Sequence, residues 1–528
     1  MEIPATLETG RAAATPAVEV TQGRMTGLRD GPVAQYLGIP YGTAERFRPA
    51  RPAPAFDGTF RADTRGDRCP QMPRQAKGAW VDFLNDPSPQ SEDCLRLNVF
   101  CPDRPASAPR PVMVWLHGGG YVSGAGGSPV TDGSNLATRG DVVVVSLNHR
   151  LNAFGFTYLA ELVPGHDGIN TGMTDIVLAL EWVRDNIAAF GGDPVNVTIF
   201  GQSGGGSKVA LLMALPSAEG LFHKAVIQSS STLLRMATPE RATTCARLLL
   251  EELGIDDPTP EALSAPDADT ILAARQRAIR RNGGIDDFRP VVDGTVLPAN
   301  PFEPASLDRS GHIPLLIGTC EEELSYFLAA AGTDFDTITA EDAASRFAGF
   351  ARTDTATAAA VLARFRAAHP DEPEWHVLTR ALTEQMYRRN CREAADLRAA
   401  YPGAPVWNYL FRWNTEALAG HLKSPHTMCL PFVFHTTDVA QGMLGRPDQA
   451  RALADRVADT WIAFARTGDP NHAGLPDWPV HDAARRATMI FDDTCEVADD
   501  PLPAEREAIA ACPAYSTDVG AAGVGARV

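Results

Sequence analysis

The sequence predicts an α/β protein: a mostly parallel central sheet covered by helices, with helical insertions. Three observations carry this. Short β-branched or apolar runs alternate with amphipathic stretches through residues 95–228, the pattern of strands joined by crossover helices. Glycine-rich turns stand directly after two of those runs, at residues 117–127 and 201–205. The composition, 44% hydrophobic and 21% charged over 528 residues, is that of a globular chain able to bury a large core without crosslinks.

The same arithmetic removes several classes. Apolar content this high is not that of a disordered chain, and 45 glycines and 41 prolines without a three-residue period are not collagen-like. Lys plus Arg is 47 against 65 for Asp plus Glu, a net charge of −18, so there is no basic face for nucleic acid and no polybasic segment for an anionic membrane. The longest apolar run, residues 209–215, is far short of the roughly 20 residues of a spanning helix. Residues 1–17 contain no apolar signal-peptide core and are expected to be a flexible N-terminus; residues 516–528 are expected to be a flexible tail. The nine cysteines include no C-x-x-C pair, so no metal site is expected. Low cysteine density points to the cytoplasm, with secretion left open.

Along the chain, residues 18–26 and 32–39 read as a hairpin joined by 27–31. Residues 95–101, 111–116 and 141–147 read as strands. Residues 173–189 carry Ile176, Leu180, Val183 and Ile187 at helical spacing, stopped by Gly191 to Pro194. A strand at 195–200, a helix at 203–214 and a strand at 224–228 follow. Residues 239–310 read as helical and polar, 314–318 as a strand, 355–400 as helical, 406–411 as a strand and 451–466 as a long amphipathic helix. No linker divides the chain, so residues 18–515 are expected to form one domain whose helical insertions build a pocket.

The chemistry lies at two turns. Gly201-Gln202-Ser203-Gly204-Gly205 is a G-x-S-x-G sequence between a predicted strand and a predicted helix, the context in which a serine is exposed on a strained corner as a nucleophile. An ordinary strand-to-helix loop with a serine N-cap is the alternative. The strand at 111–116 ends in His117-Gly118-Gly119-Gly120. Consecutive glycines let backbone N–H groups face a developing oxyanion, each worth about 3–4 kcal/mol of barrier. Gly119 and Gly120 are the expected donors, with the N–H of Gly204 as a third. A phosphate-cradling loop would need a different continuation from Tyr121-Val122-Ser123.

These residues resemble the type-B carboxylesterases, the family of para-nitrobenzyl esterase and the cholinesterases. The resemblance extends over residues 18–491 and includes Gly38-Ile39-Pro40-Tyr41, Ser91-Glu92-Asp93-Cys94-Leu95, His117 to Gly120, Asn148 with Arg150-Leu151, and Phe190 to Pro194 ahead of the serine turn. It implies the α/β-hydrolase fold and ester hydrolysis through an acyl-enzyme, with a small-molecule ester as substrate, no cofactor, and a monomer or homodimer. It also implies a Ser-Glu-His triad. The family's acid follows a Gly-Thr segment, here residues 318–324, and alignment places it at Glu323, with Glu322 next in line. Glu321 and Glu322 are read as a solvated turn. The family's histidine precedes a Leu-Pro-Phe-Val-Phe segment by four residues, which selects His426 over His421 and His435.

By the same resemblance Ser229 supports the acid from behind, Arg46 pairs with Glu92 and Arg150 with Asp175, and a disulfide joins Cys69 to Cys94 unless a reducing cytosol keeps it open. Such a bridge would contribute about 3 kcal/mol. Trp80 and Phe83 lie in the intervening loop, where they either line the pocket mouth or pack the loop; Tyr326 and Phe327 are read as core. Gln202, Gly204, Ile176, Leu324 and Cys429 depart from the family pattern, and Gly204 is expected to loosen the nucleophile turn. The implied function is serine carboxylesterase on small to medium uncharged esters. A carbamate, aryl amide or xenobiotic diester is the alternative, and a non-catalytic scaffold is disfavoured by an intact triad.

Overall fold

In the computed structural model, residues 13–74 and 76–515 are described. Their centre is an 11-stranded sheet. Its strands are β1 (Leu28–Asp30), β2 (Val33–Pro40), β3 (Arg96–Pro102), β4 (Arg110–Leu116), β5 (Val143–Leu147), β6 (Gly192–Gln202), β7 (Lys224–Gln228), β8 (Leu315–Cys320), β9 (Val406–Phe411), β10 (Ala487–Phe491) and β11 (Glu496–Asp499). Their spatial order is β11-β10-β9-β8-β7-β6-β4-β5-β3-β2-β1. From β5 across to β10 all pairings are parallel, and antiparallel strands flank this block on both sides.

Successive side chains of a strand point to opposite faces, and the buried runs obey this. Val112, Val114 and Leu116 of β4 join the core beneath helices α1 (Thr171–Asn186) and α2 (Gly204–Ala214). Met113 and Trp115 join the opposite core with Trp461 and Phe464 of α6 (Pro447–Thr467). Ile176, Leu180 and Val183 of α1 are fully buried, at about 1.5–3 kcal/mol per side chain. The helical insertion forms a third core around Leu324, Leu328, Phe347 and Leu382.

The predicted strands and helices of the parallel block are present, with ends shifted by a few residues. Three expectations need correction. Residues 18–39 form two hairpins: Val18–Val20 pairs with Gly23–Thr26 in a separate small sheet, while β1 pairs with β2. Strands β10 and β11 had no counterpart in the sequence reading; β11 is a short, half-exposed edge of only four residues, too brief for a period to register. The region 355–400 is broken between Thr355–Ala368 and α4 (Glu374–Thr383) at Pro370 and Pro373. It then runs through a π-turn at Glu384–Arg388 into α5 (Arg389–Ala400). At the N-terminus, the Arg29 N–H donates to the Ala13 carbonyl, and Thr15 bonds both ways to Gly27. Residues 1–12 of that segment and the tail 516–528 lie outside the described residues.

Both ion pairs that the resemblance implied are present, one buried and one partly exposed. Arg150 forks onto Asp175 at 2.6 and 2.8 Å, and Arg46 holds Glu92 at 2.9 Å. Among the described residues, no helix is long and apolar enough to cross a membrane.

Candidate active site

The chain leaves β4 for β5 on one side, then returns to place β6 on the other side of β4. A crevice at the carboxyl ends of strands forms where the order reverses in this way. Both sequence turns open there, because the register sets Gly201 beside Leu116. Ser203 follows β6 with φ 58° and ψ −125°, its N–H donating to the Gln228 carbonyl of β7 at 2.8 Å. A non-glycine residue held at this positive φ is strained, and the α2 N-terminus immediately behind it supplies unpaired N–H groups.

The 118–120 loop presses against this corner. A Cβ on Gly204 would fall 2.3 Å from the Gly120 carbonyl oxygen and 2.5 Å from its nitrogen. Glycine at 204 therefore does not loosen the turn, as the sequence suggested, but lets the two backbones touch. Gly119, at φ 89°, has no room for a side chain against Ser123. A residue overlooked in the sequence anchors the loop from below: Lys208 of α2 is fully buried and donates from Nζ to the His117 carbonyl at 2.9 Å. Burial pushes its pKa down to about 7.

Glu323 is the first residue of α3 (Glu323–Ala330) and is fully buried. Its Oε1 accepts the Cys320 N–H at 2.7 Å, and its Oε2 lies 2.5 Å from Nδ1 of His426. The Nε2 of His426 is 3.1 Å from the Gln202 side-chain amide nitrogen. A proton on Nδ1 and a lone pair on Nε2 satisfy both contacts. The rings of Tyr387, Phe327 and Tyr326 surround the imidazole at 5.0, 5.1 and 6.0 Å. Tyr326 and Phe327 are thus neighbours of His426 and not merely core, and Tyr387 was missed because it sits in an insertion far along the chain. Trp80 reaches the site at one remove, edge-on to Tyr326 at 5.5 Å, whereas Phe83 is packed into the loop, its carbonyl accepting from Ser128.

His421 and His435 bond to Asp336 and Asp455, away from this cluster. The Ser229 hydroxyl lies against the Cys320 sulfur at 3.8 Å, and the N–H of that same Cys320 donates to Glu323, so its link to the acid runs through Cys320. Cys69 and Cys94 are not joined; both are free, buried thiols, and the hydrogen bond from Cys69, with burial, raises the Cys94 pKa well above the thiol range.

Glu321 and Glu322 are not a solvated turn. They are 4% and 2% exposed because the insertion supplies cations to meet them. Arg380 and Arg412 hold Glu321 at 3.1 and 2.6 Å, and Arg388 donates to its carbonyl at 2.6 Å. Burial alone would raise the Glu321 carboxyl, but Arg380, Arg412 and Arg388 hold it below the usual range. Glu322 meets His376 at 3.1 Å and the Ser424 N–H at 3.2 Å; burial and the Glu321 charge push it up to about 8. The network closes on Glu505 of α7 (Pro503–Ile509), 2.7 Å from Arg388 and 3.2 Å from Arg380. Burial opposes ionisation there, yet His369, Arg388 and Arg380 bring Glu505 down to about 2.

Removing one partner of such a buried pair costs about 3–5 kcal/mol. Glu505→Gln is accordingly expected to destabilise the fold by several kcal/mol at pH 7. Because the folded pKa lies below the unfolded one, the contribution is present above about pH 4.5 and is lost as pH falls toward 2. Urea midpoints of both proteins across that range should converge at the acid end; a constant gap would refute the assignment.

The family of this chain is decided by a match to the carboxylesterase family across residues 14–507. The chain belongs to the carboxylesterase family. It is a carboxylic ester hydrolase with the α/β-hydrolase fold. This carboxylesterase is 34% identical to the para-nitrobenzyl esterase of Bacillus subtilis (strain 168), covering 93% of this chain and 97% of that protein. It is 31% identical to phenmedipham hydrolase of Pseudarthrobacter oxydans over 92% of this chain and 97% of that protein. The crystal structure of a Geobacillus stearothermophilus carboxylesterase superposes with a TM-score of 0.80 at 36% identity, covering 93% of this carboxylesterase and 99% of that chain.

Proposed function

We propose that this carboxylesterase cleaves small to medium uncharged esters through an acyl-enzyme on Ser203. His426 is the general base and then the general acid, Glu323 orients the imidazole, and the N–H groups of Gly119, Gly120 and Gly204 receive the oxyanion. The observation that carries the reading is the 2.5 Å contact of Glu323 with Nδ1 of His426 at the strand ends beside the strained Ser203 turn. A serine hydroxyl is a weak nucleophile until a base takes its proton, and a base needs a fixed tautomer. The rings of Phe327, Tyr326 and Tyr387 around His426 favour an apolar acyl group over a charged one.

A fluorophosphonate should add one phosphonyl mass to the Ser203 peptide with loss of activity; stoichiometric labelling of another serine sinks the assignment. A series of para-nitrophenyl esters of increasing acyl length then defines the pocket. The relative named phenmedipham hydrolase is the reason to include phenmedipham, which probes the second reading, the same residues cleaving a carbamate, aryl amide or xenobiotic diester.

Gln202 gives a separate handle. Its amide nitrogen is 3.1 Å from Nε2 of His426, so Gln202→Glu would set a carboxylate against the imidazole. An adjacent negative charge favours the imidazolium, so the acidic limb of the kcat/KM profile should move up by about 1 pH unit or more. An unmoved limb would remove His426 from the role of base.

A further inference from the structure

A cavity of about 40 Å³ lies between the second half of β8, the middle of β9, the α5 helix and the loop ahead of α7. One water needs roughly 10–15 Å³ of such space, so it holds about three waters or one oxyanion of three or four heavy atoms. Its wall includes the guanidinium groups of Arg388, Arg392 and Arg486, the imidazole of His481 and, at the rim, Asp500.

Each guanidinium is fixed by a carboxylate. Arg388 is held by Glu505 at 2.7 Å and Arg392 by Glu384 at 2.6 Å, while Arg486 is held by Asp396 at 3.1 Å. The Nε atoms of Arg388 and Arg486 are buried without a hydrogen-bond partner, and so is Nδ1 of His481, whose Nε2 meets Asp396 at 2.8 Å. With Nε2–H on Asp396, the neutral ring presents Nδ1 as an acceptor. The carboxylate of Asp500 is paired with Arg506, 2.9 Å away. Orphaned buried donors cost about 1–3 kcal/mol each, more when charged, so the two guanidinium Nε–H groups, on residues that line one small cavity, call for an acceptor. Planar guanidinium forks match a carboxylate-type oxyanion better than a spherical ion.

We propose that this cavity, lined by Arg388, Arg392, Arg486 and His481, is a binding site for a small carboxylate-type oxyanion, separate from the site of ester cleavage. The proposal does not rest on the assignment of Ser203. It touches the catalytic region through one side chain: Arg388 lines the cavity and also donates to the Glu321 carbonyl, two residues before Glu323.

The test is a titration of the full-length protein with sodium acetate at constant ionic strength, followed by calorimetry and by the thermal midpoint. It is repeated after fluorophosphonate treatment so that acetate acting as a product at the ester site is excluded. Saturable heat and a rising midpoint are expected and should survive the treatment. Arg486→Gln and Arg392→Gln should each weaken acetate binding about tenfold or more. Arg485→Gln, at an exposed side chain paired with Asp499, should leave it unchanged. Retained esterase turnover in each variant shows that it has folded. Acetate binding equal in all four proteins, no saturable binding, or identical effects of acetate, chloride and phosphate would overturn the site and leave the orphaned donors to water.

Discussion

Ser203→Ala is expected to lower kcat on para-nitrophenyl butyrate by about 10⁵- to 10⁶-fold, the scale on which loss of a triad nucleophile is felt. The substitution keeps the Cβ, so the strain of φ 58° and the Ser203 N–H bond to Gln228 are unchanged, and the thermal midpoint should move by no more than a few degrees. What disappears is the hydroxyl proposed to form the acyl bond. The amides of Gly119, Gly120 and Gly204 stay in place, so a residual rate of about 10³-fold over water is expected from the oxyanion site and binding. Activity within about 100-fold of wild type, in protein purified away from host esterases, would mean that the nucleophile lies elsewhere. The fluorophosphonate mass would then be found on another peptide.

The sequence made the parallel block and its two turns legible for a physical reason. Parallel strands buried on both faces are continuous apolar runs, and β4, β7 and the second half of β6 read as such. The nucleophile turn and the 117–120 loop are local: each needs glycines within a few residues, so each can be seen without knowing what packs against it. The acid was harder. Three consecutive glutamates are equivalent as sequence, and only the cations brought in by the insertion separate them. Arg380 and Arg388 lie some sixty residues later, on α4 and the following π-turn. A carboxylate whose partner is that distant looks like a solvated one, which is how Glu321 and Glu322 were misread. Gln202 shows the opposite case. Its departure from the family pattern was visible in the sequence, but its amide against Nε2 of His426 appears only once β6 and the His426 loop are assembled.

Comparison of Glu323→Gln with Glu322→Gln decides which of the adjacent carboxylates serves the histidine, and the two should fail in different ways. At Glu323 the amide removes the charge 2.5 Å from Nδ1 and can present an N–H where an acceptor is needed. The imidazole then loses both its tautomer and the stabilisation of its charged form, and kcat should fall by about 10⁴-fold. Glu322 faces away, toward His376, Arg380 and the Ser424 N–H. Burial and Glu321 raise its pKa to about 8, so near neutral pH it is already largely protonated and glutamine is its near isostere. The expected loss in kcat is below about tenfold, and the signature is one of stability. A carboxyl whose folded pKa exceeds its unfolded value contributes fully below about pH 4.5 and loses that contribution as pH rises through about 8. Wild type should therefore weaken relative to Glu322→Gln across that interval in chemical unfolding experiments. A larger loss of kcat at Glu322 than at Glu323 would transfer the role of acid to Glu322, and with it the requirement that His376 or a rearranged His426 be its partner.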